Sequence, residues 1–140
     1  MRVRTVLADG SSDIPRRPLA LLARRVLRGE EGQLNVSLIF AGDDTLRDLN
    51  RRYRKIDRTT DVLSFNIPGV TGVEPDGGEI YISVPQARKQ ARRYRHSLTA
   101  ELQRLVVHGT LHLLGHDHKH PAQTTRMREL EGCYLGAMLR

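Results

Sequence analysis

The sequence predicts an α+β fold: a small mixed β-sheet of about four strands, packed against helices. Three observations predict it. Four short segments carry strand patterning and five carry helical spacing, without strict alternation of the two. One helical segment holds two histidines four residues apart, His108 and His112. The chain has 140 residues, enough for one real core and too few for two comfortable ones, so 1–140 is read as a single domain.

Residues 2–8 (RVRTVLA) alternate and are read as a short strand. Ile14-Pro15 interrupts the chain, after which Leu19, Leu22, Ala23, Val26 and Leu27 recur at helical spacing. The run LNVSLIFAG puts Leu34, Val36, Leu38 and Phe40 on one face of a second strand. Asp43 or Asp44 is placed to cap the next helix, since a carboxylate accepts from unpaired amide N–H groups. Its apolar stripe is Leu46, Leu49 and Tyr53, while Arg47, Arg51 and Arg54 share another face. TDVLSFNI reads as a strand, and so does EIYISV. The loop PGVTGVEPDGG between them has turn chemistry that predicts mobility. Pro85 suits the first turn of a helix whose narrow packing face is Ala87, Ala91 and Tyr94. A helix from about Thr99 to Leu114 buries Leu102, Leu105, Val106 and Leu113. The last helix carries Leu130, Cys133, Tyr134, Ala137 and Met138 at helical spacing, with Cys133 as a small packed hydrophobe.

Composition excludes several classes. With 39% hydrophobic and 28% charged residues the chain is globular, and no stretch approaches the roughly 20 apolar residues a membrane span needs. The alternating N-terminus shows no secretory signal, and one cysteine excludes an intramolecular disulfide. A reducing cytoplasm is the expected location. Twenty-three Lys and Arg against 16 Asp and Glu give a net charge of +7. Three blocks, Arg16 to Arg28, Arg47 to Arg58 and Arg88 to Arg95, hold most of the basic residues. Clustered positive charge attracts phosphate polymers, though solvated helix faces produce the same composition. Arg88, Lys89, Arg92 and Arg93 are read as the border of a path for such a polymer.

The informative stretch is HGTLHLLGHDH, residues 108–118. Histidines four apart on a helix lie one above the other, so His108 and His112 can reach one point. Gly115 can adopt the left-handed conformation that ends a helix, which lets His118 return from outside it. Three neutral nitrogens plus an open position is the ligand set of a catalytic zinc, so one zinc per chain on a zincin-like helix is expected. His116 and His120 are competing ligands, and His96 is read as exposed. Asp117 either fixes the tautomer of a ligand imidazole or serves the turn after Gly115. Metzincin proteases share the spacing but carry a glutamate base beside the first histidine, where this chain has Gly109.

With these residues in view the sequence resembles the YbeY family of bacterial rRNA maturation factors and endoribonucleases. HGTLHLLGHDH matches that family's H-G-x-L-H-L-x-G-x-D-H at every fixed position. NRRYRKIDRTTDVLSFNI resembles its second block. GGEIYIS resembles its G-D-I strand with Glu79 in place of Asp, and Met127 and Glu131 are similar to its M-x-x-x-E. The resemblance covers roughly residues 34 to 138. It implies His108, His112 and His118 as zinc ligands, with Arg54 and His108 catalytic. It also implies action on single-stranded RNA in small-subunit rRNA 3′-end maturation and ribosome quality control, with the small subunit or its proteins as partners. Arg54 would supply a planar, permanently charged fork for phosphate, unless it merely belongs to the solvated Arg47/Arg51/Arg54 row. Ser64 and Asp61 could line the cleft or pair within the sheet. The rival readings are a peptidase or other hydrolase, weakened by Gly109, and a non-catalytic zinc-containing assembly factor.

Overall fold

In the computed structural model the described residues are 1–8, 10, 13–117 and 119–139, with side chains to residue 136. The elements run β1 (Val3–Leu7), α1 (Arg16–Gly29), β2 (Asn35–Ala41), α2 (Asp43–Arg54), β3 (Val62–Ile67), β4 (Gly77–Ser83), α3 (Val84–Arg93), α4 (Leu98–Leu113) and α5 (Pro121–Leu139). The four strands form one sheet in the order β1-β2-β4-β3. β1, β2 and β4 are parallel and β3 is antiparallel at the edge, giving the expected α+β fold with a mixed sheet.

One sheet face carries the main core. Val36, Leu38 and Phe40 of β2 and Ile80 and Ile82 of β4 meet Leu19, Leu22, Ala23, Val26 and Leu27 of α1 and Leu102, Leu105, Val106 and Leu111 of α4. The α1 stripe is the one its helical spacing predicts. The second face is covered by α2, whose Leu46 and Leu49 pack with Ala41, Leu63, Phe65 and Tyr81. β2 is therefore buried on both faces from Leu38 to Ala41 instead of alternating throughout, as a central parallel strand with helices on either side must be.

Several local expectations are corrected. Gly42, in extended conformation, holds the N-cap position of α2, and neither aspartate caps it. Asp43 instead accepts hydrogen bonds from Ser83 Oγ at 2.7 Å, Gln86 Nε2 at 3.1 Å and Thr59 Oγ1 at 3.2 Å. It thereby ties α2 to the β4–α3 junction. Ser83 caps α3 by accepting from the Gln86 amide, so α3 starts at Val84 with Pro85 in its first turn. β4 starts at Gly77, because Gly77 and Gly78 pair with Asn35 and Val36 of β2. Tyr94 lies past the end of α3 and is 58% exposed, so the packing face there is Val84, Ala87 and Ala91. Tyr53 is also exposed, resting against Phe65 with ring centres 5.3 Å apart. Cys133 is exposed rather than packed; Met127 and Leu130 supply the buried face of α5, and the side chains of Ala137 and Met138 lie outside the described residues. Tyr134 anchors α5 to the end of α1 by donating to Glu30 Oε2 at 2.6 Å, and burial together with that bond pushes its hydroxyl up to about 12. Among the described residues no helix is long and apolar enough to cross a membrane.

Burial raises the Asp43 carboxyl, but the hydrogen bonds from Ser83, Gln86 and Thr59 outweigh it and hold the group below its ordinary value. A depressed carboxyl stabilises the fold above the unfolded-state value, and that contribution is lost as pH falls through the folded value. Asp43→Ala should therefore lower stability by about 1–3 kcal/mol at neutral pH. Urea denaturation at neutral and strongly acidic pH checks this: the gap to wild type should shrink in acid, and a gap that does not change with pH would remove the carboxylate from the account.

Candidate functional site

The site begins with how closely α4 approaches the sheet. A Cβ built on Gly109 would stand 2.7 Å from Ile80 Cγ2 and 3.1 Å from Ser64 Oγ. A Cβ on Gly78 would stand 2.6 Å from Leu113 Cδ1. Two positions without side chains let the helix lie directly on β3 and β4. Ser64 Oγ then donates to the Gly109 carbonyl at 2.9 Å, and Asn66 Nδ2 donates to the Leu113 carbonyl at 2.9 Å, satisfying an acceptor at the helix end. Gly115, at φ 93°, closes the helix in the left-handed region as its position in the sequence predicts.

With that face fixed, Arg104, His108 and His112, each four residues after the last, share another face and line a cleft of about 910 Å³. Residues 58–64 at the start of β3, Arg54 at the end of α2, and Met127, Arg128 and Glu131 of α5 form its other walls. The His108 and His112 rings stand 4.8 Å apart at 66°. Two imidazoles sharing one tetrahedral ion at ordinary zinc–nitrogen distances stand roughly 5 Å apart between ring centres, so the pair fits such an ion. His118 lies outside the described residues, and among those described no group of three His, Cys, Asp or Glu completes a metal-holding set. His116 turns away from the cleft, with Nε2 3.3 Å from Glu30 Oε1. His96 is exposed, as read, and contacts Glu101 Oε1 at 2.9 Å.

Arg54 differs from its neighbours. Arg47 pairs with Asp57, and Arg51 and Arg52 pair with Asp48 at opposite oxygens. Arg54 has no carboxylate partner among the described residues and lines the cleft. Asp117 also lines it, with Oδ2 3.8 Å from Lys119 Nζ. Ser64 and Asp61 both line the cleft, and their side chains bond to neighbouring groups instead of across the sheet. Ser64 donates to Gly109, while Asp61 accepts from the Val62 amide at 2.8 Å and from Gln90 Nε2 at 3.2 Å.

The structure adds residues that spacing alone did not single out. Arg104 is held by Glu101, a fully buried carboxylate, through Nε at 3.1 Å and Nη2 at 2.7 Å. The bonds to Glu101 outweigh burial and hold the guanidinium above even its usual high value. Its position four residues before His108 was a usable signal. Glu131 Oε1 lies 2.6 Å from His108 Nδ1, a pairing 23 residues apart that no local pattern reveals. Arg58, Lys119 and Arg128 add positive charge to the cleft. The α3 residues Arg88, Lys89, Arg92 and Arg93 do not line it, and Arg88 instead binds Asp13 at 2.8 Å. The cleft's cations come from the second basic block, from α4 and α5, and from Lys119 between those two helices.

The family model described as Endoribonuclease YbeY matches residues 9–138. The chain belongs to the YbeY family. Every site residue named above falls within that match. Among YbeY relatives, the Desulfitobacterium hafniense endoribonuclease YbeY is 46% identical over 113 residues, which cover 75% of this chain and 72% of that one. The Moorella thermoacetica protein of the same name is 41% identical, covering 84% and 81%. The Myxococcus xanthus protein is 43% identical, but the match spans only 40% of its length. A Thermotoga maritima protein solved in solution shares the fold with a TM-score of 0.65 and 29% identity, covering 95% of this chain and 86% of that one.

The metzincin glutamate position is thus the one where α4 meets the sheet. Gly109→Ala should lower stability by about 1–3 kcal/mol through overpacking against Ile80 and Ser64. Thermal melts of wild type and variant check this, and unchanged stability would mean that the helix can lift from the sheet at no cost.

Proposed function

We propose that this chain is a zinc-dependent endoribonuclease that cleaves single-stranded RNA in the cytoplasm. Its place would be small-subunit rRNA 3′-end maturation and ribosome quality control, with the small subunit or its proteins as partners. The observation that carries the reading is that Arg54, alone among the α2 arginines in having no carboxylate partner among the described residues, lines the same cleft as His108 and His112. The names of the relatives support it.

In this reading His108, His112 and His118 hold the zinc. Bound zinc supplies Lewis acidity at a phosphoryl oxygen and acidifies water near neutral pH. Arg54 grips the phosphate with two parallel N–H donors, placing it against the histidine face and offsetting the charge that builds on its oxygens. Arg58, Lys119 and Arg128 attract the flanking phosphates and make binding salt-dependent. Asp117 holds a ligand imidazole in place. A peptidase is disfavoured because the position that would carry its base is packed against Ile80 and Ser64.

The purified protein should carry about one zinc per chain, and His108→Ala or His112→Ala should lower occupancy. Arg54→Ala should keep its metal and thermal stability yet lose on the order of 10²-fold in cleavage, with Arg54→Lys recovering little. Single-turnover cleavage of a single-stranded RNA by metal-matched proteins reads this out. Equal rates would return Arg54 to the solvated face of α2. Negligible cleavage by wild type would favour the assembly-factor reading.

A further inference from the structure

Glu131 reaches the histidine face from a different helix. It stands on α5, where Met127, one turn earlier, is 2% exposed and Leu130 is 6% exposed, so packing against the core fixes the helix that carries it. Its Oε1 lies 2.6 Å from His108 Nδ1, and the His108 and Glu131 side chains are only 24% and 20% exposed. A contact this short between a carboxylate and a ring nitrogen, with little water to compete, is a strong hydrogen bond in which the imidazole donates. Arg104, one turn before His108, feels the charge of the same carboxylate.

From this geometry we propose that Glu131 is the positioning residue of His108. It holds the proton on Nδ1 and the ring in one orientation, so that Nε2 presents its lone pair to a metal. The inference rests on the metal-site reading above and extends it to a residue outside the ligand set. A neutral imidazole has two tautomers, and only one places a lone pair on the nitrogen directed away from Glu131. A carboxylate partner selects that tautomer and strengthens the other nitrogen as a donor. The protease-type glutamate is absent at position 109, so the carboxylate in contact with the first histidine comes from the last helix.

A plain inter-helix strut would show the same contact, so the test separates the two. Zinc affinity is measured by competition with a chromophoric chelator for wild type, Glu131→Ala, Glu131→Gln and Glu129→Ala. Glu129 is exposed, pairs with Arg126 and serves as the control. Glu131→Ala should weaken zinc binding by about 10–100-fold, Glu131→Gln, which keeps an acceptor, should recover part of the loss, and Glu129→Ala should match wild type. In parallel, imidazole ¹⁵N spectra of the metal-free proteins should show His108 protonated at Nδ1 in wild type and shifted towards the other tautomer in Glu131→Ala. Wild-type zinc affinity with an unchanged tautomer in either Glu131 variant would overturn the proposal and leave a strut. If Glu131→Ala fails to fold, Glu131→Gln carries both measurements. A wild-type protein that binds no zinc would sink the metal reading, while the tautomer spectra would still decide whether Glu131 sets His108.

Discussion

Helix α4 can rotate very little about its own axis. Gly109 and Gly78 let it sit against β3 and β4 at backbone contact, and the Ser64 and Asn66 side chains bond to two of its carbonyls from the strand beside it. Once the Gly109 side of the helix is committed to the sheet, geometry dictates where everything else on it points. Leu102, Leu105, Val106 and Leu111 enter the core, and Arg104, His108 and His112 emerge along the β3 edge into open space. The cleft lies at β3, the antiparallel edge strand of the sheet, where α2, α4 and α5 also contribute to its walls.

The positive charge of the chain divides into charge that is engaged and charge that is presented. Arg104 is locked by Glu101, whose full burial would be severely unfavourable without a counter-charge. Arg47, Arg51, Arg52 and Arg88 sit in exposed pairs that contribute little to stability but do quench local charge. Among the described residues, what remains at the cleft without a carboxylate partner is a smaller set, Arg54, Arg58 and Arg128, while Lys119 faces Asp117 at 3.8 Å. The net charge of +7 is therefore a poor guide to where an anion would lie, and the pattern of pairing is a better one.

The sequence made some of this legible and hid the rest for physical reasons. The α1 stripe, the four strands, the left-handed Gly115 and the shared face of His108 and His112 follow from periods of 3.6 and 2 and from glycine's freedom, which are local. Tyr94 and Cys133 share helical stripes with buried residues yet are exposed, because a stripe says which residues share a face, not how far the neighbouring element extends to cover it. Glu101 has the composition of a surface residue and is wholly buried, since its partners His96 and Arg104 arrive with it. Asp43 has the composition of a cap, yet Ser83 and Gln86, 40 and 43 residues away, claim its carboxylate. Arg54 could be named from the sequence, but its distinction from Arg51 required seeing which of them Asp48 takes.

The exposed Cys133 gives this fold a practical property. It is the chain's single thiol and stands two residues after Glu131, which on a helix is about 200° around the axis. A maleimide dye or nitroxide attached there would project from the side of α5 opposite the cleft, leaving the His108 contact untouched while riding on the helix that makes it. Fluorescence or spin-label spectroscopy could then follow how α5 moves when an ion or a nucleic acid enters, in the native sequence and without engineering a reporter site.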